Sequence, residues 1–305
     1  MKKFEGLIAA PFTPMHQNGE VHYDKIPEYY DFLEKNHVIG AFINGSTGEG
    51  VSLSQKEKMN LVEAWTKVSR SKKTVKVITL VGGTSYTECA ENAIHAAEQG
   101  IDAIAILSPF YFKPAGARQL AEFVSKVAEK VPKLPVYFYH IPVLTGCTVT
   151  MLDFLKEAAP IVPNLAGIKY THEDFMDFLS CTHFMDGKFD MMWGRDENML
   201  SALILGTRSA VGSTFNYAAP LYLKLIEAYD KGDFPAARKL QQQSIDMIML
   251  LGKYGGIATG KAYMRYIGLD CGEFRLPVKN MDADKYEKFK SDVVSLQMEE
   301  LFSRF

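Results

Sequence analysis

The order in which apolar runs recur along the chain narrows its fold more than any other feature. Eight short β-branched or apolar runs lie at 6–10, 39–44, 75–81, 102–108, 135–141, 165–170, 189–194 and 208–213. Longer amphipathic stretches separate them, such as 54–70 and 85–100, the latter closed by Gly100, a common helix stop. Strands alternating with helices imply parallel βαβ units. The runs are continuously apolar rather than alternating, which suits strands covered on both faces. Eight such units ending at residue 213 fit a closed (β/α)8 TIM barrel. A doubly wound sheet would carry a Gly-x-Gly-x-x-Gly turn after its first strand, and the residues after 10 hold none.

Beyond residue 213 the strand pattern fades. Segments 219–233, 235–255, 258–268 and 282–305 read as helices, the first containing the eighth barrel helix. The expected organisation is a catalytic α/β barrel over 1–230 and a C-terminal helical extension over 231–305.

Bulk composition excludes several classes of function. The net charge is −2, so the chain lacks the basic excess of a nucleic-acid partner. The lysines at 72 and 73 read as a solvated turn. Four scattered cysteines form no Cys-x-x-Cys pair, and the His, Asp and Glu residues form no metal-ligand motif. The sequence therefore supports no metal and no disulfide framework. The apolar run near the start is too short for a signal peptide, and none approaches a membrane span. A soluble, cytoplasmic protein is expected.

A barrel directs attention to the C-terminal ends of its strands. After the second run comes Asn-Gly-Ser-Thr-Gly-Glu-Gly, 44–50, whose small residues let backbone N–H groups converge with the Ser46 and Thr47 hydroxyls. Such a loop can hold a carboxylate or phosphate, and it can equally be a tight turn into a helix. The fifth run ends in Tyr-His-Ile-Pro, 139–142, and alternation puts Tyr137 and Tyr139 on one face, Phe138 and His140 on the other. Tyr139 could relay protons or simply be a packed tyrosine, while His140 reads as structural. The sixth run, Leu-Ala-Gly-Ile-Lys-Tyr, delivers Lys169 to the edge of an apolar interior. Desolvation there would lower its pKa and free a neutral amine to form a Schiff base with a ketone. A lysine snorkelling to solvent is the alternative. Asp196 and Glu197, after the seventh run, could cap a helix or bind hydroxyls of a substrate.

Taken together, Gly-Ser-Thr-Gly-Glu at 45–49, Tyr-His-Ile-Pro at 139–142, Gly-Ile-Lys-Tyr-Thr at 167–171, Gly-Arg-Asp-Glu at 194–197 and Val-Gly-Ser at 211–213 resemble a known set. It is that of the pyruvate-dependent, Schiff-base-forming aldolases, the superfamily of dihydrodipicolinate synthase and N-acetylneuraminate lyase. The resemblance runs nearly the whole length, including the C-terminal helices. Dihydrodipicolinate synthases carry an arginine two residues past the proline of the Tyr-x-x-Pro motif to grip a second carboxylate. Here that position is Leu144, which cannot make a bidentate contact. With Lys169-Tyr170-Thr171 and Gly194-Arg195-Asp196-Glu197, the chain is more similar to the lyase branch.

That resemblance implies a reversible retro-aldol cleavage of N-acetylneuraminate to pyruvate and N-acetylmannosamine, with no cofactor beyond the imine on Lys169. It implies that Ser46 and Thr47 hold the pyruvate-end carboxylate and that Tyr139 moves the proton at the C4 hydroxyl, which Thr171 orients. Gly194, Asp196, Glu197 and Ser213 would then bind the polyol chain. A homotetramer is implied as well, in which Tyr111 of a neighbouring subunit reaches the Tyr139 hydroxyl. An aldolase or dehydratase acting on 2-keto-3-deoxy sugar acids is the nearest rival, and a silent sugar-acid-binding homologue a more remote one.

Overall fold

The computed structural model describes residues 3–305; Met1 and Lys2, where the first expected segment begins, lie outside the described residues. Eight parallel strands pair in sequence order and close between first and last: β1 (Gly6–Ala9), β2 (Gly40–Ile43), β3 (Lys76–Leu80), β4 (Ala103–Leu107), β5 (Val136–His140), β6 (Leu165–Tyr170), β7 (Asp190–Trp193) and β8 (Ser209–Gly212). Each falls within the expected run. The expected (β/α)8 TIM barrel with C-terminal helices is therefore the fold.

Local chemistry explains where the intervening helices start and stop. Ser54 and Glu57 form a reciprocal capping box at the head of the helix Gln55–Lys72. Ser85 caps Tyr86–Glu98, and Gly100 ends that turn at φ 67°, a left-handed conformation that glycine adopts without steric cost. The two faces of the strands feed two cores. Ile8, Phe42, Ile78, Tyr137, Tyr139 and Met192 pack inside the barrel. Phe138, Ile168, Tyr170 and Trp193 point outward into the larger core beneath the helices. The alternation expected for β5 is thus present.

Beyond the barrel, the sequence pattern and the structure part company twice. The eighth barrel helix begins earlier than 219, at Phe215, and runs to Asp230 with irregular backbone at Ala218. Pro220 accounts for the irregularity, because its ring lacks an N–H and crowds the preceding turn. The segment 282–305 is also not one helix. It is helical over Ala283–Ser295, turns at Gln297 with φ 54°, and ends in a short 3-10 turn, Glu299–Leu301. The tail then runs back along the barrel helix, where Ser303 N donates to Tyr217 O at 2.8 Å and Ser303 Oγ accepts from Ala219 N at 3.2 Å. Those bonds need an extended tail, which a continued helix would forfeit. The helices Phe234–Tyr254 and Ala258–Tyr266 complete the extension and pack on the barrel helix Phe215–Asp230.

Asp177 is the polar junction on the outer side of β6. Its carboxylate accepts from Met151 N (2.8 Å), Leu152 N (2.9 Å) and the Tyr170 hydroxyl (3.0 Å). It thereby caps the helix Met151–Ala158 from a neighbouring helix. Asp177→Ala strands two amide donors and leaves the Tyr170 hydroxyl only the Asp174 carbonyl, so it should destabilise the fold by about 2–4 kcal/mol. Asp177→Asn, which keeps an acceptor, should cost less. Urea unfolding midpoints of the two variants check this order.

Candidate active site

The residues singled out above lie where a barrel places its chemistry. Ser46 and Thr47 follow β2, Tyr139 is on β5, and Lys169 is on β6 with Thr171 just beyond. Gly194, Asp196 and Glu197 follow β7, and Ser213 follows β8. Register aligns Tyr139 with Lys169 and Lys169 with Met192, so the lysine points into the barrel between its neighbours.

Lys169 does not snorkel. It is only 4% exposed, and its Nζ lies 4.1 Å from the ring centroid of Phe42 and 4.1 Å from that of Tyr139. Among the described residues no carboxylate comes within ion-pair distance of it. Burial lowers its pKa from the usual 10.5 to about 7, with the charge of Asp196 opposing the fall. The aromatic faces favour a cation, but too weakly to offset full desolvation. Here the amine sits poised between its two forms at neutral pH.

Tyr139 is buried, and burial raises the pKa of its hydroxyl; the nearby side chains of Ser46 and Thr171 oppose that rise. Its ring meets that of Phe42 edge-on at 5.6 Å, so one aromatic corner serves both Tyr139 and Lys169. Thr171 Oγ1 is near the tyrosine yet buried without a formed hydrogen bond. A buried hydroxyl without a partner is costly, so a water or bound group that reaches it would be favoured. Gly194 makes room for it, since a Cβ there would come within 2.0 Å of Thr171 Oγ1.

The adjacent acids after β7 face opposite environments. Asp196 is buried, and burial lifts its pKa from 3.8 to about 6. Its Oδ2 accepts from Thr214 N at 3.0 Å and Thr214 Oγ1 at 2.6 Å. Asp196 and Glu197 stand in the first turn of the short helix Asp196–Asn198, no side chain caps that turn, and Asp196 reaches to Thr214 at the head of the helix after β8. Gly212 permits this, because a Cβ there would lie 2.2 Å from Asp196 Oδ1. Glu197 stays at the mouth, half-buried, and pairs with Arg195 at 2.6 Å; Arg195 also pairs with Glu173 at 2.8 Å. Ser213 is half-buried beside Thr214.

Tyr111 is the one candidate the single chain does not bring in. It is 79% exposed and stacks edge-on with Phe112. Several contributors escaped the sequence reading. Phe42 was one apolar residue among many, and only its place opposite β5 gives it a role. Thr214 and the extension residues Gln241 and Ser244 support Asp196; Gln241 Nε2 donates to its carbonyl at 3.2 Å. His140 packs outside the barrel, where burial and the nearby His172 drive its pKa to about 3, so it stays neutral and away from Lys169. Among the described residues no cluster of His, Cys, Asp and Glu could hold a metal ion.

Comparison with known proteins agrees with this geometry. The profile of the dihydrodipicolinate synthetase family matches residues 3–296. N-acetylneuraminate lyase of Homo sapiens is 38% identical over 302 residues, covering 97% of this chain and 93% of that protein. N-acetylneuraminate lyase A of Xenopus laevis is 36% identical over 301 residues, covering 97% and 98%. The solved Proteus mirabilis N-acetylneuraminate lyase superposes with a TM-score of 0.93 at 35% identity, over 97% of this chain and 99% of that one.

Only the neutral amine attacks carbonyl carbon, so the pKa of Lys169 sets a pH window. Reductive alkylation by a small aldehyde at Lys169 should rise through about pH 7 and level off above it. Surface lysines should still be rising near pH 10. Asp196→Asn removes the charge that favours the ammonium form, so its profile should shift to lower pH. Peptide mass spectrometry of pH-stepped samples reads both midpoints.

Proposed function

This chain belongs to the dihydrodipicolinate synthetase family, and from that premise we propose that it is a class I aldolase cleaving N-acetylneuraminate reversibly to pyruvate and N-acetylmannosamine. The observation that carries the reading is the desolvated amine of Lys169 wedged between Phe42 and Tyr139. Curated relatives named N-acetylneuraminate lyase, matched over 97% of the chain, supply the substrate.

In this mechanism Lys169 Nζ attacks C2 of the open-chain keto acid, and water leaves to give an iminium. Ser46 and Thr47 receive the adjacent carboxylate. Tyr139 takes the proton of the C4 hydroxyl as it passes its own phenolic proton to the adjacent substrate carboxylate, while Thr171 holds the C4 hydroxyl. The C3–C4 bond breaks, its electron pair passes into the iminium to give an enamine, and N-acetylmannosamine departs as the aldehyde. Protonation at C3 and addition of water then release pyruvate and restore the amine. The iminium is the electron sink, so no separate cofactor is needed. Glu197 and Ser213 accept and donate to the polyol, with Gly194 leaving the chain space and Asp196 fixing the inner end of the pocket.

A homotetramer belongs to the same proposal. Tyr111, Phe112, Val143 and Leu144 are all exposed apolar or aromatic residues following β4 and β5. Covering them with a second copy would place Tyr111 beside that copy's Tyr139.

Borohydride reduction in the presence of pyruvate should add one reduced pyruvate to the peptide carrying Lys169. Modification of another lysine, or none in an active preparation, sinks the mechanism. Glu197→Ala should lower kcat/KM for N-acetylneuraminate by about 1–3 kcal/mol in transition-state binding. Arg195 keeps Glu173 in that variant, so no cation is orphaned. Cleavage of a shorter 2-keto-3-deoxy acid that ends before this rim should change much less. An unchanged ratio of the two efficiencies would mean that Glu197 serves only Arg195.

A further inference from the structure

One buried ion pair lies outside the chemistry above. Glu49 lies midway along the loop that follows β2, just past Ser46 and Thr47, and its backbone is left-handed at φ 59°, a conformation that residues with side chains disfavour. Its carboxylate is nearly sealed from solvent. Oε1 meets Lys261 Nζ at 2.9 Å, with side chains 3% and 4% exposed, and Oε2 accepts from Arg275 N at 2.8 Å. Lys261 comes from the extension helix Ala258–Tyr266. It also donates to Glu273 O at 2.8 Å and lies 4.7 Å from the Phe274 ring centroid.

A buried pair of this kind adds little stability in itself, because desolvation consumes most of its attraction, yet removing one partner strands a charge. Its value is positional, and Glu49 is well placed to exploit that. Glu49 N donates to Ser46 O at 3.1 Å, and Gly50 N closes on Gly45 O at 3.0 Å. From the other side Thr13 Oγ1 donates to Gly48 O at 2.6 Å. The segment carrying Ser46 and Thr47 is therefore a short arch with a fixed foot at each end. One foot is clamped from the C-terminal extension.

We propose that Lys261 is a positioning residue for the aldol reaction: through Glu49 it holds the 45–48 arch in the geometry that receives the carboxylate of the keto acid. This rests on the reading of Ser46 and Thr47 as the carboxylate cradle. Lys261 touches neither the substrate nor Lys169, so its loss should weaken capture of the carboxylate and spare the amine chemistry.

The experiment compares borohydride trapping at Lys169 with pyruvate and with methyl pyruvate, which keeps the ketone and loses the negative charge. In the wild-type chain pyruvate should half-saturate at a far lower concentration than the ester. In Lys261→Met that concentration should rise ten-fold or more for pyruvate, with the ester and the maximal trapping rate changing less than two-fold. Equal losses for both ketones, or an unchanged value for pyruvate, overturn the proposal. Should Lys261→Met fail to fold, Glu49→Gln/Lys261→Met removes both charges and takes its place, with the same outcomes required. A wild-type chain that does not distinguish the two ketones sinks the cradle reading and this proposal with it. No wild-type adduct at Lys169 with either ketone refutes the aldolase mechanism itself.

Discussion

The desolvation of Lys169 is the constraint around which the rest of the site is arranged. An ordinary lysine at pH 7 is neutral in about one molecule in three thousand. With its pKa lowered to about 7 by burial, the neutral form of Lys169 becomes a substantial share of the population. The barrel achieves this by enclosure rather than by a neighbouring cation. Phe42 and Tyr139 close on the amine from two strands, and Asp196 is near enough to temper the shift without forming an ion pair. A carboxylate in direct contact would have held the lysine charged and useless as a nucleophile.

Such an interior needs stiff walls, and the walls are not supplied by the strands alone. The loops after β2 and β7 are both braced by the helices past residue 230. Lys261 clamps Glu49, while Gln241 and Ser244 take hold of the Asp196 carbonyl. Asp196 itself accepts through Oδ2 from Thr214, which ties the β7 loop to the head of the helix Phe215–Asp230. Arg275 adds a third tie, donating to Glu49 through its backbone and to Glu57 through its guanidinium. The extension acts as a bracket over the catalytic end of the barrel. It also fits the principle that sites are most precise when supporting groups lock the residues that do the chemistry.

What the sequence revealed, and what it hid, follow the range of the interactions involved. Strands were legible because eight apolar runs carry their own signal, and the turn at Gly100 is a local matter of backbone sterics. Lys169 was legible because a cation inside an apolar run is anomalous wherever it occurs. The five rim motifs gave the family because their spacing along the chain survives without any contact information. Phe42 was not legible, since nothing local distinguishes it from other strand residues until β5 lies opposite. The Lys261–Glu49 pair joins residues 212 positions apart and looks, in the sequence, like two ordinary surface charges. Asp196 next to Glu197 reads in the sequence either as a helix-capping pair or as a pair that binds hydroxyls, and nothing local tells the two acids apart. Only the close approach of β8 at Gly212 shows that one of them turns inward. The last helix was read too long for a related reason, as the pull of Tyr217 and Ala219 on Ser303 acts across the fold.

The division between enclosed and open groups also explains how one barrel can host different acceptors. Lys169, Tyr139 and Asp196 are buried, and each is entangled with neighbours that the core requires. Changing any of them disturbs packing, charge and chemistry together. Leu144 stands on a four-residue helix after β5 and is 63% exposed in the single chain, so packing within the barrel places almost no demand on it. Glu197 and Ser213 are likewise only half-buried. An arginine in place of Leu144 would cost the barrel little and would add a fixed cationic fork at the mouth, favouring an acceptor with a second carboxylate. Leucine leaves that side of the mouth uncharged, and the remaining polar groups of Glu197 and Ser213 match hydroxyls better than another anion. On the proposed mechanism, selectivity in this architecture can therefore change at the rim while the buried amine of Lys169 stays the same.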